Sequence, residues 1–345
     1  MTPPRFGVVV PVRVREPGHR DDLAACLAAL SAADPAPHDV VVVDDGSLPP
    51  VALTTEESQR VRRRATSPRG PASARNTGAA DLAPACDIVV FVDADIVVPP
   101  DTFARLAEAF VRWPDAAAVW GTVTAAHPQP GRVSRYKNLS HRHFTLQNPA
   151  RTRHLTSMLV AVRRDVFVSV GGFDTTWNTV SVEDVELGRT LHAAGHAVYL
   201  DHGLAAEHRH RFTLVGAVRN DLHKVRRHVR TTLARRAAGC PSVAVEGSGE
   251  RRQVQYLLGV PLGAGAIVAL LAGRPLLAVG LTAALVGWER DFVSLLAREG
   301  GPAFALACVP LLVLERGVVA VATAAGVVDH LRADGTSSWG GPSKA

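Results

Sequence analysis

Three short runs of branched apolar residues constrain this chain most: Phe6–Val12, Val40–Val43 and Ile88–Val92. Each is continuous rather than alternating, the pattern of strands buried on both faces. Between them the spacing turns helical. Asp21–Ala33 places Leu23, Leu27 and Leu30 on one stripe, and Ala72–Leu82 and Asp101 to about Trp113 read as two more helices. Ala117–Val123 and Met158–Val162 read as strands, Arg164–Val170 and Val182–Gly195 as helices, and Ala197–Leu200 as a last strand. Arg132–His154 is basic and His-rich and shows no clear period. This alternation predicts an α/β domain with a mostly parallel sheet flanked by helices. Ligands of such sheets lie beyond the carboxyl ends of the strands.

The composition changes near Val254. Of the 345 residues 47% are hydrophobic, yet only 5% are aromatic. Val254–Gly273 is twenty residues without a charge, the length that spans a bilayer core. Pro275–Trp288 is apolar but shorter, and Pro302–Leu314 and Gly317–Val328 are apolar segments separated by Glu315-Arg316. Just upstream, Arg219–Arg252 holds nine Lys or Arg against three acids, within a formal charge of +6. That is the composition of a cytoplasmic flank facing anionic lipid. The expected order is a catalytic domain over 1–215, a basic linker with interfacial helices over 216–253, membrane-associated helices over 254–330, and a flexible tail over 331–345. No nucleic-acid motif accompanies the basic charge, so nucleic acid is not an expected partner. The four cysteines lack metal-site or disulfide spacing, which fits a reducing compartment. Met1–Phe6 leads straight into a strand, so no cleavable signal is expected.

Acidic residues gather where the strands end. Val92 runs into Asp93-Ala94-Asp95; on a continuing strand the two carboxylates share one side and can hold a hard divalent cation. Val43 runs into Asp44-Asp45-Gly46-Ser47, either an ordinary turn or acceptors for a nucleobase or ribose. Arg75, in Ala74-Arg75-Asn76-Thr77-Gly78, is a solvated helix arginine or a planar donor for a base or phosphate. Gly78 costs a helix about 1 kcal/mol relative to alanine, so close backbone approach is a reason for it. Glu183-Asp184 opens a helix, either stabilising its N-terminus or supplying a base that takes a hydroxyl proton. His208 and His210 form an H-x-H pair in a His-rich stretch, as a solvated loop or as metal ligands.

Six segments occur in one order: Val10-Pro11-Val12-Arg13, Asp44–Ser47, Ala74–Gly78, Asp93–Asp95, Gly171-Gly172-Phe173-Asp174 and Glu183–Leu187. Together, over about residues 6–212, they resemble family 2 of the inverting, nucleotide-sugar-dependent glycosyltransferases of GT-A fold. The resemblance implies a nucleoside diphosphate sugar donor, UDP- or GDP-linked, in a site that includes Pro11, Arg13 and Ala94. Asp45 with Asp44 would hold the base, Arg75 would lie near the base or phosphates, and Asp93 would approach the ribose. Asp95 would ligate Mg²⁺ or Mn²⁺, joined by His208 with His210 as alternate. Asp184 would be the general base, with Glu183 beside it at the acceptor.

The Q-x-x-R-W motif of processive synthases is absent, and His223–Arg227 occupies that region without its Trp. Single transfer to a hydroxyl or phosphate acceptor is therefore expected, lipid-linked or envelope-related, at the cell membrane with the catalytic domain facing the cytoplasm. A nucleotidyltransferase shares such an acidic metal site but carries a Gly-rich loop after its first strand, where this chain has Pro11–Arg15. A non-catalytic membrane scaffold retaining the fold is the other alternative, and intact Asp95 and Asp184 argue against it.

Overall fold

The computed structural model describes residues 3–153, 155–176, 183–237 and 249–332. The chain divides into two compact units, one of residues 1–124 and 148–210, the other of 125–147 and 211–345. Residues 125–147, expected within the catalytic domain, thus belong to the second unit.

The first unit begins with β1 (Phe6–Val12), α1 (Pro17–Ser31), β2 (Asp39–Asp45), α2 (Thr55–Arg60) and β3 (Arg62–Thr66). It continues through α3 (Pro71–Asp81), β4 (Ile88–Val92), β5 (Ile96–Val97), α4 (Thr102–Arg112) and β6 (Ala116–Val123). After α5 (Arg132–Leu146), which lies in the second unit, come β7 (Arg151–Thr152), β8 (Leu159–Arg163), α6 (Arg164–Ser169), α7 (Glu183–Ala193) and β9 (Ala197–His208). The sheet order is β3-β2-β1-β4-β8-β6-β9-β5, with β7 paired to β9. β3, β2, β1 and β4 are mutually parallel, but β8 enters antiparallel between β4 and β6. The sheet is therefore mixed rather than mostly parallel.

Side-chain alternation along the strands divides the core between two faces. Val8, Val10 and Val12 pack with Leu23, Leu27 and Leu30 of α1 and with Phe103 and Leu106 of α4. Val9 points the other way, into Ala72 and Ala74 of α3, Phe167 of α6, and Leu187 and Leu191 of α7. Full burial on both faces is why these strands read as unbroken valine runs. β3, with the sequence Arg-Arg-Arg-Ala-Thr, is exposed at the edge, where charge discourages pairing with another chain.

The second unit is helical: α5, α8 (Leu214–Ala237), α9 (Gly249–Leu271), α10 (Pro275–Trp288), α11 (Arg290–Gly300) and α12 (Pro302–Arg332). Tyr136 and Leu139 of α5 pack with Leu285, Phe292, Leu296, Cys308 and Leu312. Small residues let helices approach closely: a Cβ on Gly263 would overlap Arg316, and one on Gly317 would overlap Ile267. Glu315-Arg316 does not divide two apolar segments, because α12 runs unbroken through it. Glu315 accepts hydrogen bonds from Tyr136 Oη at 2.7 Å and Lys137 Nζ at 2.9 Å, and Arg316 Nη2 donates to Glu289 at 2.7 Å. Lys137 also pairs with Asp221 of α8 at 2.9 Å. Of the expected tail, residues from 333 onward lie outside those described.

Candidate functional site

Asp93, Ala94 and Asp95 do not continue the strand, as the alternation argument required. β4 stops at Val92, and the three residues form a turn closed by the Ile96 amide donating to the Asp93 carbonyl at 3.0 Å. The turn separates the two carboxylates and gives them different partners, while Ala94 packs against the core beneath. Asp93 Oδ1 accepts from Arg75 Nη2 at 2.7 Å. Asp95 Oδ2 lies 3.3 Å from His210 Nδ1 and 3.7 Å from His208 Nε2. His208 ends β9, where its backbone pairs with Ile96 of β5, and the next amide, of Arg209, donates to the Asp95 carbonyl at 2.8 Å. Burial alone would raise the Asp95 carboxyl, but the two imidazoles outweigh it and hold Asp95 well below the carboxylate range. Burial raises Asp93 instead, with Arg75 opposing and Asp95 adding to the rise.

Arg75 is 3% exposed. Its second nitrogen, Nη1, donates to Glu183 Oε1 at 3.1 Å, and the guanidinium lies over the Phe173 ring, 5.4 Å from its centroid. The geometry thus places Arg75 between two carboxylates, at the seam between α3 and the start of α7. Neighbouring Asn76 grips the Gly171–Phe173 turn at its Phe173 end, through both main-chain groups of that residue. Its Nδ2 donates to the Phe173 carbonyl at 2.8 Å, and its Oδ1 accepts from the Phe173 amide at 2.9 Å. Gly172, with φ at 72°, fits there because a Cβ would crowd that amide oxygen. Gly78 does mark close approach, though against protein: a Cβ would overlap Val9 of β1 and press on Val43 of β2.

The acidic pair opening α7 is divided too. Glu183 is buried against Arg75, at 3% exposure. Asp184 is half-buried and accepts from its neighbour's amide, Val185, at 2.8 Å. Asp184 still acts on the Arg75 guanidinium electrostatically, as Asp93 and Glu183 do more strongly.

At the end of β2 both carboxylates hold backbone. Asp44 accepts from the Ser47 and Val51 amides at 2.9 and 2.8 Å, and Asp45 from the Arg69 and Gly70 amides at 2.8 and 3.0 Å. Burial pushes the Asp44 carboxyl up, yet hydrogen bonds from Ser47 and Val51, with Arg63 nearby, leave it below its ordinary value. Arg63 Nη1 also donates to Asp44 Oδ2, at 3.3 Å. Pro11 pairs in register with Val43 one residue before the end of β1, and exposed Arg13 follows that end. The next residue, Val14, ties the two loops together through its amide and Ser47 Oγ at 2.8 Å.

Sequence reasoning passed over Asn76 and Phe173. An amide gripping a main chain ninety-seven positions away has no spacing of its own, although Asn76 stood inside a quoted segment. His210, taken as alternate to His208, lies nearer to Asp95.

A sheet with acidic turns at the carboxyl ends of the two strands that flank β1, together with an acidic helix start, is the build of a GT-A glycosyltransferase. Residues 7–170 match the sequence model of glycosyl transferase family 2, and this segment belongs to that family. Succinoglycan biosynthesis protein ExoW of Rhizobium meliloti (strain 1021) is 34% identical over 125 residues. The match covers 35% of this chain, and the chain spans 38% of that relative's length. Among solved structures, mannosyltransferase PcManGT from Pyrobaculum calidifontis, in complex with GDP-Man and Mn²⁺, aligns over 96% of this chain and 88% of its own. Its TM-score is 0.54 at 20% identity, a likeness of fold.

Proposed function

We propose that the chain is an inverting glycosyltransferase that moves one sugar from a nucleoside diphosphate sugar to a hydroxyl or phosphate acceptor. The observation that carries this reading is the surplus of acid. Asp93, Glu183 and Asp184 act on a single guanidinium, Arg75, while Asp95 beside them lies against His208 and His210. Carboxylates gathered in this way suit a divalent metal, whose charge offsets that of a bound diphosphate. Among the described residues no three His, Cys, Asp or Glu side chains close around one point. Asp95 and the imidazole of His208 or His210 are the protein donors on offer, a carboxylate and nitrogen set that suits Mn²⁺ or Mg²⁺. When bound, the metal supplies charge stabilisation to the departing diphosphate.

Asp184, less deeply buried than Glu183, takes the proton of the acceptor. The acceptor oxygen forms its bond to the anomeric carbon on the face opposite the leaving group. The bond between that carbon and the diphosphate oxygen breaks, and the electron pair leaves with the nucleoside diphosphate. Glu183 and Arg75 set the position of the helix start that carries Asp184. Asp45, Asp44, Pro11 and Arg13 border the region assigned to the base, and Asp93 the region assigned to the ribose.

We assign the helical unit to a membrane, with a lipid-linked or envelope acceptor and the catalytic domain on the cytoplasmic side. α12 is long and apolar enough to cross a bilayer, with mean hydropathy 2.0 in its best window, of which 39% is packed within the protein. A buried helix of a soluble protein passes the same test. Exposed Val268, Leu270, Leu271, Leu276 and Leu277 on α9 and α10, with Leu306 and Val321 on α12, favour the bilayer. Glu315 and Arg316 fit it because their partners lie inside the unit.

Thermal shift with UDP- and GDP-sugars tests the donor. A nucleotide that raises the melting temperature only with Mn²⁺ supports the reading. No shift with any nucleoside diphosphate sugar at millimolar concentration refutes it. Alkaline carbonate extraction tests the second part: the full chain is expected to stay with the membranes, and release into the supernatant refutes membrane insertion.

A further inference from the structure

The helical unit contains an open trough of about 590 Å³ between α8 and α12. Leu214, Val215, Val218 and Leu222 form one wall, and Leu314, Val321, Ala322 and Ala325 the other. Along its α8 edge runs a row at helical spacing, Arg219, His223 and Arg226. Arg226 is already engaged, its Nη2 donating to Asp329 Oδ1 at 2.7 Å. Arg219 and His223 are exposed, and neither has a partner among the described residues. The single acid of α8, Asp221, is held by Lys137, against seven Lys or Arg on the same helix. Exposed Leu214, Val215 and Val321 continue the apolar walls to the surface.

An apolar trough with two unengaged N–H donors on one edge is complementary to an amphiphile carrying an anionic phosphate. We propose that this trough is a binding site for an anionic phospholipid of the surrounding membrane. An acyl chain lies between α8 and α12, and the phosphate diester accepts from Arg219 and His223. This site anchors the unit and is separate from the donor site in the sheet unit. It rests on the membrane assignment above and adds to it a defined position and a lipid preference.

The test uses the full chain extracted in a mild nonionic detergent, with native mass spectrometry reading adducts of added phosphatidylglycerol or of phosphatidylcholine with the same chains. Wild type is expected to take up phosphatidylglycerol at about tenfold lower concentration. Arg219→Gln is expected to remove most of that preference. Lys224→Gln removes the same charge from an exposed α8 position outside the trough, and should keep it. Val321→Trp, at an exposed position on the wall, should weaken uptake of both lipids by filling the space.

Three results would overturn the site. Arg219→Gln and Lys224→Gln weaken uptake equally, which means diffuse charge; Val321→Trp leaves uptake unchanged; or an isoprenyl phosphate displaces phosphatidylglycerol at equal concentration, which makes the trough an acceptor site. Carbonate extraction and nucleotide binding on the same preparations separate the failures. A chain held in the membrane, competent for nucleotide and without lipid preference refutes the trough alone. A chain released by carbonate refutes the membrane assignment and the trough with it.

Discussion

Where the sheet unit buries Arg75 against Asp93 and Glu183, the helical unit buries Lys137 and Arg316 against Asp221, Glu315 and Glu289. The pairings look alike, yet the sums differ. Asp184 joins the sheet cluster, giving three carboxylates to one guanidinium, whereas the helical cluster has three carboxylates to two cations. Burying a charge is tolerable when it is paired, and near balance identifies a cluster that closes on itself and fixes how helices meet. A surplus of one sign instead marks a candidate functional site.

That contrast can be broken by experiment. The largest effect is expected from Asp184→Asn, with turnover lower by about 10³-fold and nucleotide affinity unchanged, measured by steady-state transfer and calorimetry. Near-normal turnover would remove Asp184 as the base. Next, Arg75→Met and Lys137→Met should each destabilise by about 3 kcal/mol, because each leaves buried carboxylates without their cation. Denaturant melts with and without Mn²⁺ then separate the clusters. Added metal should recover part of the loss in Arg75→Met and none in Lys137→Met, and equal responses would erase the distinction. Asp95→Ala should raise the nucleoside diphosphate Kd in Mn²⁺ by about 100-fold, to the value of wild type in EDTA.

The smallest effect belongs to Asp44, whose carboxylate holds two main-chain amides beside Arg63. Asp44→Asn should cost about 2 kcal/mol at neutral pH, since Asp44 accepts from two amides. Its folded value lies below the unfolded one near 3.9. The stability it contributes is therefore complete above about pH 4 and is lost as pH falls through the folded value. Melts of both proteins should converge in acid, and a gap that persists there would assign the effect to packing.

The strands at the centre of the sheet were legible because burial on both faces leaves only apolar residues, as in Val40–Val43. α5 was not, since its inward positions include Tyr136, Lys137 and Asn138, polar side chains that erase the apolar period. β3 was hidden by its three arginines, and β5 by its length of two residues. The candidate site shows the same limit. The acidic residues at strand ends could be read, but a turn rather than a continuing strand sets how Asp93 and Asp95 point, and the turn depends on contacts from β9. Asn76 and the Arg75–Glu183 pair join positions about a hundred residues apart, a relation that no local pattern carries.

Gly78 fixes more than the packing of α3. One turn earlier on the same helix stand Arg75 and Asn76, and both reach chain that is synthesised much later. The depth at which the glycine seats on Val9 therefore sets the reach of both side chains at once. A methyl group at position 78 would lift the helix and move the anchor of the Gly171–Phe173 turn together with the guanidinium that holds Glu183. The proposed donor side and base side would share one adjustable part, so a change remote from both can shift their separation without altering any of the residues assigned to them.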